Sequence, residues 1–442
     1  MFQQLSAHQH TISGYINDAE DGEALIGATV SLSEPAGTGT VTNIYGFYSL
    51  TIPDGDYEVR YSYLGYQPKV VSLSLQADTT ISVELGNQNV ELQEVVISSD
   101  RPEDNIQDVN MSREKLKIDK IKSLPALFGE VDVLRTVQLL PGVQSAGEGT
   151  TGLFVRGGSA DQNLVLLDEA TVFNPSHFLG FFSVFNPDAI KNLEIYKGGI
   201  PARFGGRLSS ILDIQMKEGN NKKLNVSGGI GSISSRLTVE GPIVKDKSSF
   251  ILSGRRTYAD LFLRLSNNED INNNTLYFYD FNAKANYQFN DKNRLFVSGY
   301  FGRDRFAIAD QFGLDWGNAT ATMRWNHVMS DKIFLNTTLI YSQFDYGFDI
   351  NTEAAEFNWN AGLKENSVKF DFTFFANPKN TFDFGYQAIL HEFEPPSIIP
   401  LGGTNFVPLV LDEKFALEQA IYISNQQQLN EKISLEYGLR YS

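Results

Sequence analysis

The chain has 442 residues, too many for one ordinary domain, and its 20% charged and 12% aromatic content with 37 glycines favours strands and turns over solvated helices. A net charge of -17 leaves nothing to neutralise a row of phosphates, which excludes nucleic acid as a partner, and the absence of cysteine excludes disulfides, thiolate metal sites and cysteine nucleophiles. No apolar run reaches the roughly 18 residues of a transmembrane helix, so any membrane insertion must use a closed β-barrel.

Residues 1–10, MFQQLSAHQH, carry neither a basic n-region nor an apolar h-region and read as a residual leader or disordered start. Over residues 11–88, short alternating runs (TISGYI, ATVSLSE, FYSLTI, YEVRYSYLGY, KVVSLSL, TTISVEL) separated by turn clusters predict an antiparallel β-sandwich. In YEVRYSYLGY the period of two puts Tyr57, Val59, Tyr61 and Tyr63 on a core face and Glu58, Arg60 and Ser62 on a wet one. The polar stretch 89–122 reads as a linker holding one β-prone island, Leu92, Gln93, Glu94, Val95, Val96 and Ile97, closed by Ser98. Two readings of this island stand together: an extended segment that adds to the sheet edge of a partner, or a last strand of the sandwich.

Residues 123–220 change pattern. LFGEVDVLRTVQLLPGV spaces Leu127, Val131, Leu134 and Val137 for an amphipathic helix ended by Pro141 and Gly142, and strand-like runs follow (TGLFVRGG, QNLVLLDEATV, IKNLEIYKGG, RLSSILDIQMK), which predicts a mixed α/β globule. The five histidines, His8, His10, His177, His327 and His391, form no HExxH or HxxE pattern, so no zinc hydrolase motif is present. The glycine-rich GVQSAGEGTTG lacks the GK[ST] of a phosphate loop.

Residues 221–442 settle into long alternating strands, with Ile433, Leu435, Tyr437, Leu439 and Tyr441 opposite Ser434, Glu436, Gly438 and Arg440, and Phe382, Phe384 and Tyr386 opposite Asp383, Gly385 and Gln387. Short polar turns near Lys245, Asp291, Asp331, Lys379 and Glu431 alternate with longer segments (LRLSNNEDINNN, AIADQFGLDWGN, FDINTEAAEFNWNAGLKEN, EFEPPSIIPLGGTNFVPLVLDE), the rim asymmetry of an outer-membrane barrel. Tyr277, Phe278 and Tyr279 suit an interfacial girdle, and Arg324 falls on the lumen face with Thr320 and Thr322, opposite Met323 and Trp325. About eleven strands fit between Leu224 and Ser442, against about 22 in plugged transporters, so the reading is the N-terminal half of a barrel, truncated within a strand at Tyr441 and Ser442. The fold class expected is mainly β: an N-terminal β-sandwich, a mixed α/β plug and a partial antiparallel transmembrane β-barrel.

The blocks GEALIGATVSL, NIYGFYSL and IPDGDYEVRYSYLGY resemble the carboxypeptidase regulatory-like domain that precedes many Bacteroidetes outer-membrane receptors. LLPGV, GLFVRGGSADQNLVLLDEATVFNP, NPDAIKNLEIYKGGIPARFGG and RLSSILDIQMK, several blocks in order, resemble the plug of TonB-dependent outer-membrane receptors. This resemblance implies import of an extracellular nutrient (siderophore, glycan, peptide or cobalamin) into the periplasm, driven by the proton-motive force through TonB. It implies an address in the Gram-negative outer membrane with the N-terminal domain periplasmic, contact with outer-membrane lipids, and a surface lipoprotein lid as a further partner. Leu92 to Ile97 is then the TonB-box candidate. Arg156, Gly157, Gly158, Asp168, Arg203, Gly205, Gly206 and Arg207 form the plug framework, the arginines pairing with carboxylates such as Asp161, Asp168 and Asp213. His177 and Phe178 are candidates to face substrate at the plug apex; the competing reading makes Phe178, Phe181 and Phe182 plug core and His177 a surface residue. No catalytic residue, metal or cofactor is expected, and the alternative function is a surface-exposed β-rich binding or adhesion protein without transport.

Overall fold

A computed structural model of the chain describes residues 8–35, 37–88, 112–124, 130–145, 147, 152–309, 311–352, 355–400, 407–430 and 433–442. The TonB-box candidate, and Leu127 of the expected helix, lie outside the described residues.

The first unit is a sandwich of two sheets. One contains β1 (Gln9–Asp18), β4 (Phe47–Pro53), β7 (Thr79–Thr80) and β8 (Val83–Leu85); the other runs β3 (Gly39–Val41), β2 (Thr29–Leu32), β5 (Gly55–Ser62), β6 (Lys69–Leu75). Ile12, Ile16, Val30, Leu50, Val59, Tyr61 and Leu75 fill the space between them. Along β5, Val59 and Tyr61 are buried while Glu58 and Arg60 are exposed, the alternation the sequence predicts. β1 and β4 are instead buried on both faces: Thr11, Ser13, Ser49 and Thr51, pointing away from the sandwich core, are all at most 5% exposed. Something else covers them.

The second unit is built on a mixed five-stranded sheet in the order β13 (Ala170–Thr171), β12 (Asn163–Leu167), β17 (Ser210–Met216), β16 (Ile190–Tyr196), β9 (Arg113–Lys117), in which only β12 and β17 run parallel. β9 and the following α1 (Ile118–Lys122) lie in the stretch the sequence assigns to a linker; β9 pairs with β16 from Asn192↔Lys117 to Tyr196↔Arg113, so the globule starts before residue 123. The amphipathic helix is short, α2 (Val133–Gln138), because Asp132 caps it by accepting from the Arg135 amide at 2.9 Å. Leu134 and Val137 enter the core with Ile121, Leu193, Ile195, Leu212 and Ile214. Two small pairs complete the unit: β10 (Val143–Gln144) with β11 (Phe154–Val155), and β14 (Ser176–His177) with β15 (Phe182–Ser183).

The third unit is an eleven-stranded antiparallel meander in sequence order: β18 (Asn225–Ile230), β19 (Ser234–Val244), β20 (Ser248–Thr257), β21 (Thr275–Asn290), β22 (Asn293–Ile308), β23 (Phe312–Ser330), β24 (Ile333–Thr352), β25 (Ala355–Asn377), β26 (Asn380–Pro400), β27 (Lys414–Asn430) and β28 (Ile433–Tyr441). The turns near Lys245, Asp291, Asp331 and Lys379 are tight as expected; the one near Glu431 lies outside the described residues. The opposite ends differ from expectation. β22 runs into β23, and β24 into β25, as extended hairpins, so AIADQFGLDWGN and FDINTEAAEFNWNAGLKEN are mostly strand; among the described residues of this rim only 258–274 carries helical turns, α3 (Ala259–Leu263) and α4 (Glu269–Asn272). The physical reason is that a strand projecting into water needs no apolar face, so an Asn- and Asp-rich sequence can continue the ladder.

One face of the meander covers the second unit and the other is outward. Arg324, Thr320 and Thr322 are buried on the inner face while Met323 and Trp325 are 45% and 42% exposed, as the alternation predicts. On β24 the outward row Leu335, Thr337, Leu339, Tyr341 and Gln343 carries no charge until Asp345, a stretch close to the roughly 9–11 residues of a membrane-crossing strand. Arg303, Arg305, Asp315, Asp345 and Asp349 then form a belt of outward ion pairs. Gly317 lies between Arg303 and Asp345, and a Cβ there would sit 2.5 Å from the Gly302 carbonyl oxygen and 2.9 Å from Arg303 Cδ, so glycine admits both the close strand and the arginine that crosses β23. Phe278 leaves the expected girdle: it is fully buried on the inner face, and only its neighbours Tyr277 and Tyr279 point outward.

Candidate functional site

β12 and β13 pair as Leu166↔Thr171 and Leu167↔Ala170, which leaves Asp168 and Glu169 as a two-residue turn. Both have positive φ, 46° and 73°, the conformation that such a turn demands and that Asn-Gly usually supplies. A non-glycine pair there costs about 1–3 kcal/mol per residue, and the contacts of the two carboxylates offset it. Asp168 accepts the Met216 amide at 2.9 Å and pairs with Lys284 of β21 at 2.9 Å. Its carbonyl oxygen accepts from Thr322 at 3.1 Å and Arg324 at 3.4 Å, both on β23. Glu169 pairs with Arg324 at 3.0 Å and with Lys369 of β25 at 2.8 Å. Burial alone would raise both acids, but Lys284 with Arg324 holds Asp168 below its usual range, and Lys369 with Arg324 holds Glu169 at about 2. One turn of the central globule is thus pinned to three strands of the wall.

A second pin is His177. Its Nδ1 lies 2.6 Å from Asp304 of β22 and its Nε2 3.3 Å from Asp280 of β21, and its ring stacks on Phe278 at 4.1 Å. The Phe178 amide donates to Asp304 at 2.9 Å, and Arg255 pairs with Asp280 at 2.6 Å. Burial lowers the His177 pKa, but the two aspartates outweigh it and the net shift is upward, favouring the imidazolium. With 1% exposure His177 presents no surface to a ligand, which corrects its assignment as substrate-facing; Phe178 beside it is half-buried, and Phe181, at 50% exposed, is not core. The sequence could show neither aspartate as a partner, since Asp280 and Asp304 lie more than a hundred residues along the chain.

The framework residues make contacts within the globule and with the wall. Arg156 and Gly157 form a turn with φ of 49° and 83°, and Arg156 donates to Ser112 at 2.8 Å. A Cβ on Gly158 would lie 2.4 Å from Ser209 Oγ, so only glycine fits. Arg203 packs over Phe204 and donates to Tyr196 at 3.3 Å, beside Glu194 and Asp213, which face each other across β16 and β17. Burial pushes Asp213 up to about 6 in spite of Arg203. Gly205 lies against Arg440 of β28, Gly206 has φ of 79°, and Arg207 is exposed and donates to the Gly206 carbonyl. Of the expected carboxylate partners only Asp213 has an arginine, Arg203, for its main countercharge; Asp168 takes the wall lysine Lys284, and Asp161 accepts from Ser159.

The cover on β1 and β4 is the tight-turn rim of the wall, a contact the sequence reading missed. Ser13 donates to the Asp331 carboxylate at 3.0 Å and Ser49 to its carbonyl at 2.5 Å, Arg294 sits 3.6 Å above the Tyr15 ring, and Tyr15 and Phe47 cluster with Val328, Phe334 and Phe375. The one available signal was the run of small or apolar residues on both faces of these strands. Among the described residues a single acidic trio, Glu392, Glu394 and Glu413, could surround a cation, and Lys364 already pairs with two of its members. No helix is long and apolar enough to cross a membrane, which says nothing of strands.

Comparison with known proteins places names on these units. Residues 12–97 match the CarboxypepD_reg-like domain and residues 105–210 the TonB-dependent Receptor Plug Domain. TonB-dependent receptor P3 of Formosa agariphila is 24% identical over 69% of this chain and 30% of its own length. Among solved structures, a variant of the ferric enterobactin receptor PfeA of Pseudomonas aeruginosa aligns with a TM-score of 0.56 at 15% identity, covering 76% of this chain and 58% of that one. The siderophore receptor PirA of Acinetobacter baumannii gives 0.56 at 14% over 75% and 56%, and the copper transporter OprC 0.56 at 10% over 74% and 54%. The chain therefore spans under a third of the curated relative and just over half of these receptors, and its three units are a regulatory-like sandwich, a plug and a stretch of antiparallel β-barrel wall.

Proposed function

We infer that this chain belongs to a TonB-dependent outer-membrane receptor that captures a nutrient from outside and imports it into the periplasm, with the work supplied by the proton-motive force through TonB. The observation that carries this reading is a plug pinned by buried ion pairs to the inner face of a strand wall whose outward face is uncharged over a membrane's depth. A plug has a use only where a path is to be opened and shut, and an adhesion protein needs none. Ion pairs seat such a plug reversibly: broken one at a time they release it without unfolding the wall. No covalent chemistry is called for.

The sandwich sits at the tight-turn rim, the periplasmic end of an outer-membrane barrel, which supports a periplasmic N-terminal domain. TonB would take hold of Leu92 to Ile97 as an added strand, between sandwich and plug. The nutrient belongs to the small, scarce classes such receptors carry (siderophore, glycan, peptide or cobalamin); the solved relatives include a ferric enterobactin receptor and a copper transporter. A lipoprotein lid and the surrounding outer-membrane lipids complete the partners. The test uses the full-length gene product in isolated outer membranes: a band that shifts on boiling is expected, and growth on the imported nutrient is expected to fail when Leu92 to Ser98 is deleted. A soluble, unshifted protein would refute the reading.

A further inference from the structure

Tyr45 of the sandwich touches all three units at once. Its hydroxyl donates to Glu169 of the plug at 3.2 Å and accepts from Asn336 of the wall at 2.6 Å. Its ring stacks on Phe334 at 5.4 Å and receives the guanidinium of Arg324, the same arginine that pairs with Glu169, at 5.4 Å. Around this point Ser13 and Ser49 tie the sandwich to Asp331, and Lys191 of the plug reaches the Ala24 carbonyl at 2.8 Å and Glu23 at 3.4 Å. The core of the plug and the core of the sandwich share no residue, so the two can part without either being emptied.

We propose that the N-terminal sandwich is a latch on the plug: seated on the rim, it holds Glu169 against Arg324 and Lys369 through Tyr45, and it must leave the rim before the plug can move. The inference rests on the transport reading above. Two features support it. The strained turn at Asp168 and Glu169 is kept in place by its outside contacts, so removing one of them loosens the very turn that anchors the plug. Chain connectivity also puts residues 89–111 between β8 of the sandwich and β9 of the plug, so a pull on that stretch loads both bodies together. Release of the sandwich then sets the threshold for opening, and the reverse also holds, since a contact that stabilises the seated plug stabilises the docked sandwich equally.

The test uses the full-length receptor in a planar bilayer, with potassium chloride current as the probe and urea as the force that unseats the plug. Tyr45→Phe removes both hydroxyl bonds and keeps the ring on Phe334, so the fold is retained. Ser13→Cys with Asp331→Cys, in a full-length receptor with any cysteine outside these cysteine-free 442 residues replaced by serine, can be bridged selectively by a short bis-methanethiosulfonate reagent. Expected are channel opening at lower urea for Tyr45→Phe, and opening of the bridged protein at higher urea than the same protein after reduction. Opening at the unmodified protein's urea concentration in both cases would overturn the latch while leaving the plug intact. No current at any urea concentration at which the heat-shifted band persists would overturn the plugged-barrel reading, and the latch with it.

Discussion

At the scale of single residues, the plug's seat depends on charges that are buried only because they are paired. Lys284→Met removes the countercharge of Asp168, which stays 3% exposed beside the Met216 amide. Breaking a buried pair from one side costs about 3–5 kcal/mol. Plug release by urea should therefore move to markedly lower concentration while the heat-shifted barrel band persists, and an unchanged release point would mean that solvent already reaches Asp168. Replacing both members, Asp168→Asn with Lys284→Met, should recover much of the loss, because the stranded charge rather than the missing attraction dominates. These pairs were illegible in the sequence. The sequence blocks single out Asp168 and suggest a plug arginine for it, but the partner comes from a strand more than a hundred residues later, and no local pattern encodes it. Arg324 was legible as a lumen residue, since its alternation with Met323 and Trp325 reports the face, though not what it touches.

At the scale of elements, the outward faces of the wall strands define a band with edges. On β24, Leu339 lies well inside the charge-free row and Gln343 lies next to Asp345. A lysine costs about 2–4 kcal/mol on the lipid face at the midplane and about 0–1 near the interface. Leu339→Lys should thus destabilise folding of the full-length receptor into lipid bilayers by about 2–4 kcal/mol and Gln343→Lys by about 0–1 kcal/mol, measured by denaturant titration with lipid vesicles. Equal costs at the two positions would place the band elsewhere. The strands and their faces were readable because a wall wetted on one side and greasy on the other must alternate. Their lengths were not. The extended hairpins at the far ends leave the bilayer, where polar residues serve a strand as well as a loop, and residues such as Asn318, Asn358 and Asn360 therefore look like loop in sequence while they are ladder in the structure.

At the scale of the whole molecule, the three units are held by contacts of opposite pH response, which gives the seat of the plug an optimum. His177 has a raised pKa, so its contribution is full below about 6.5 and is lost as pH rises through the shifted value. Asp213, raised from 3.8 to about 6 because burial penalises its charged form, contributes fully below about 3.8 and has lost its contribution above about 6. Glu169, lowered to about 2 from 4.5, contributes above 4.5 and loses its contribution as pH falls towards 2, and Asp168 follows it in direction. The urea needed to unseat the plug should therefore peak near about pH 4 to 4.5 and fall on both sides, through Glu169 as pH drops, and through Asp213 up to about 6 and then His177 above about 6.5 as pH rises. His177→Gln, which keeps a neutral donor between Asp280 and Asp304, should flatten the fall on the alkaline side and leave the acid side unchanged. A profile that rises steadily to alkaline pH would show that His177 is neutral when the plug is seated, and the pairing with both aspartates would then have to be one hydrogen bond rather than two charge contacts.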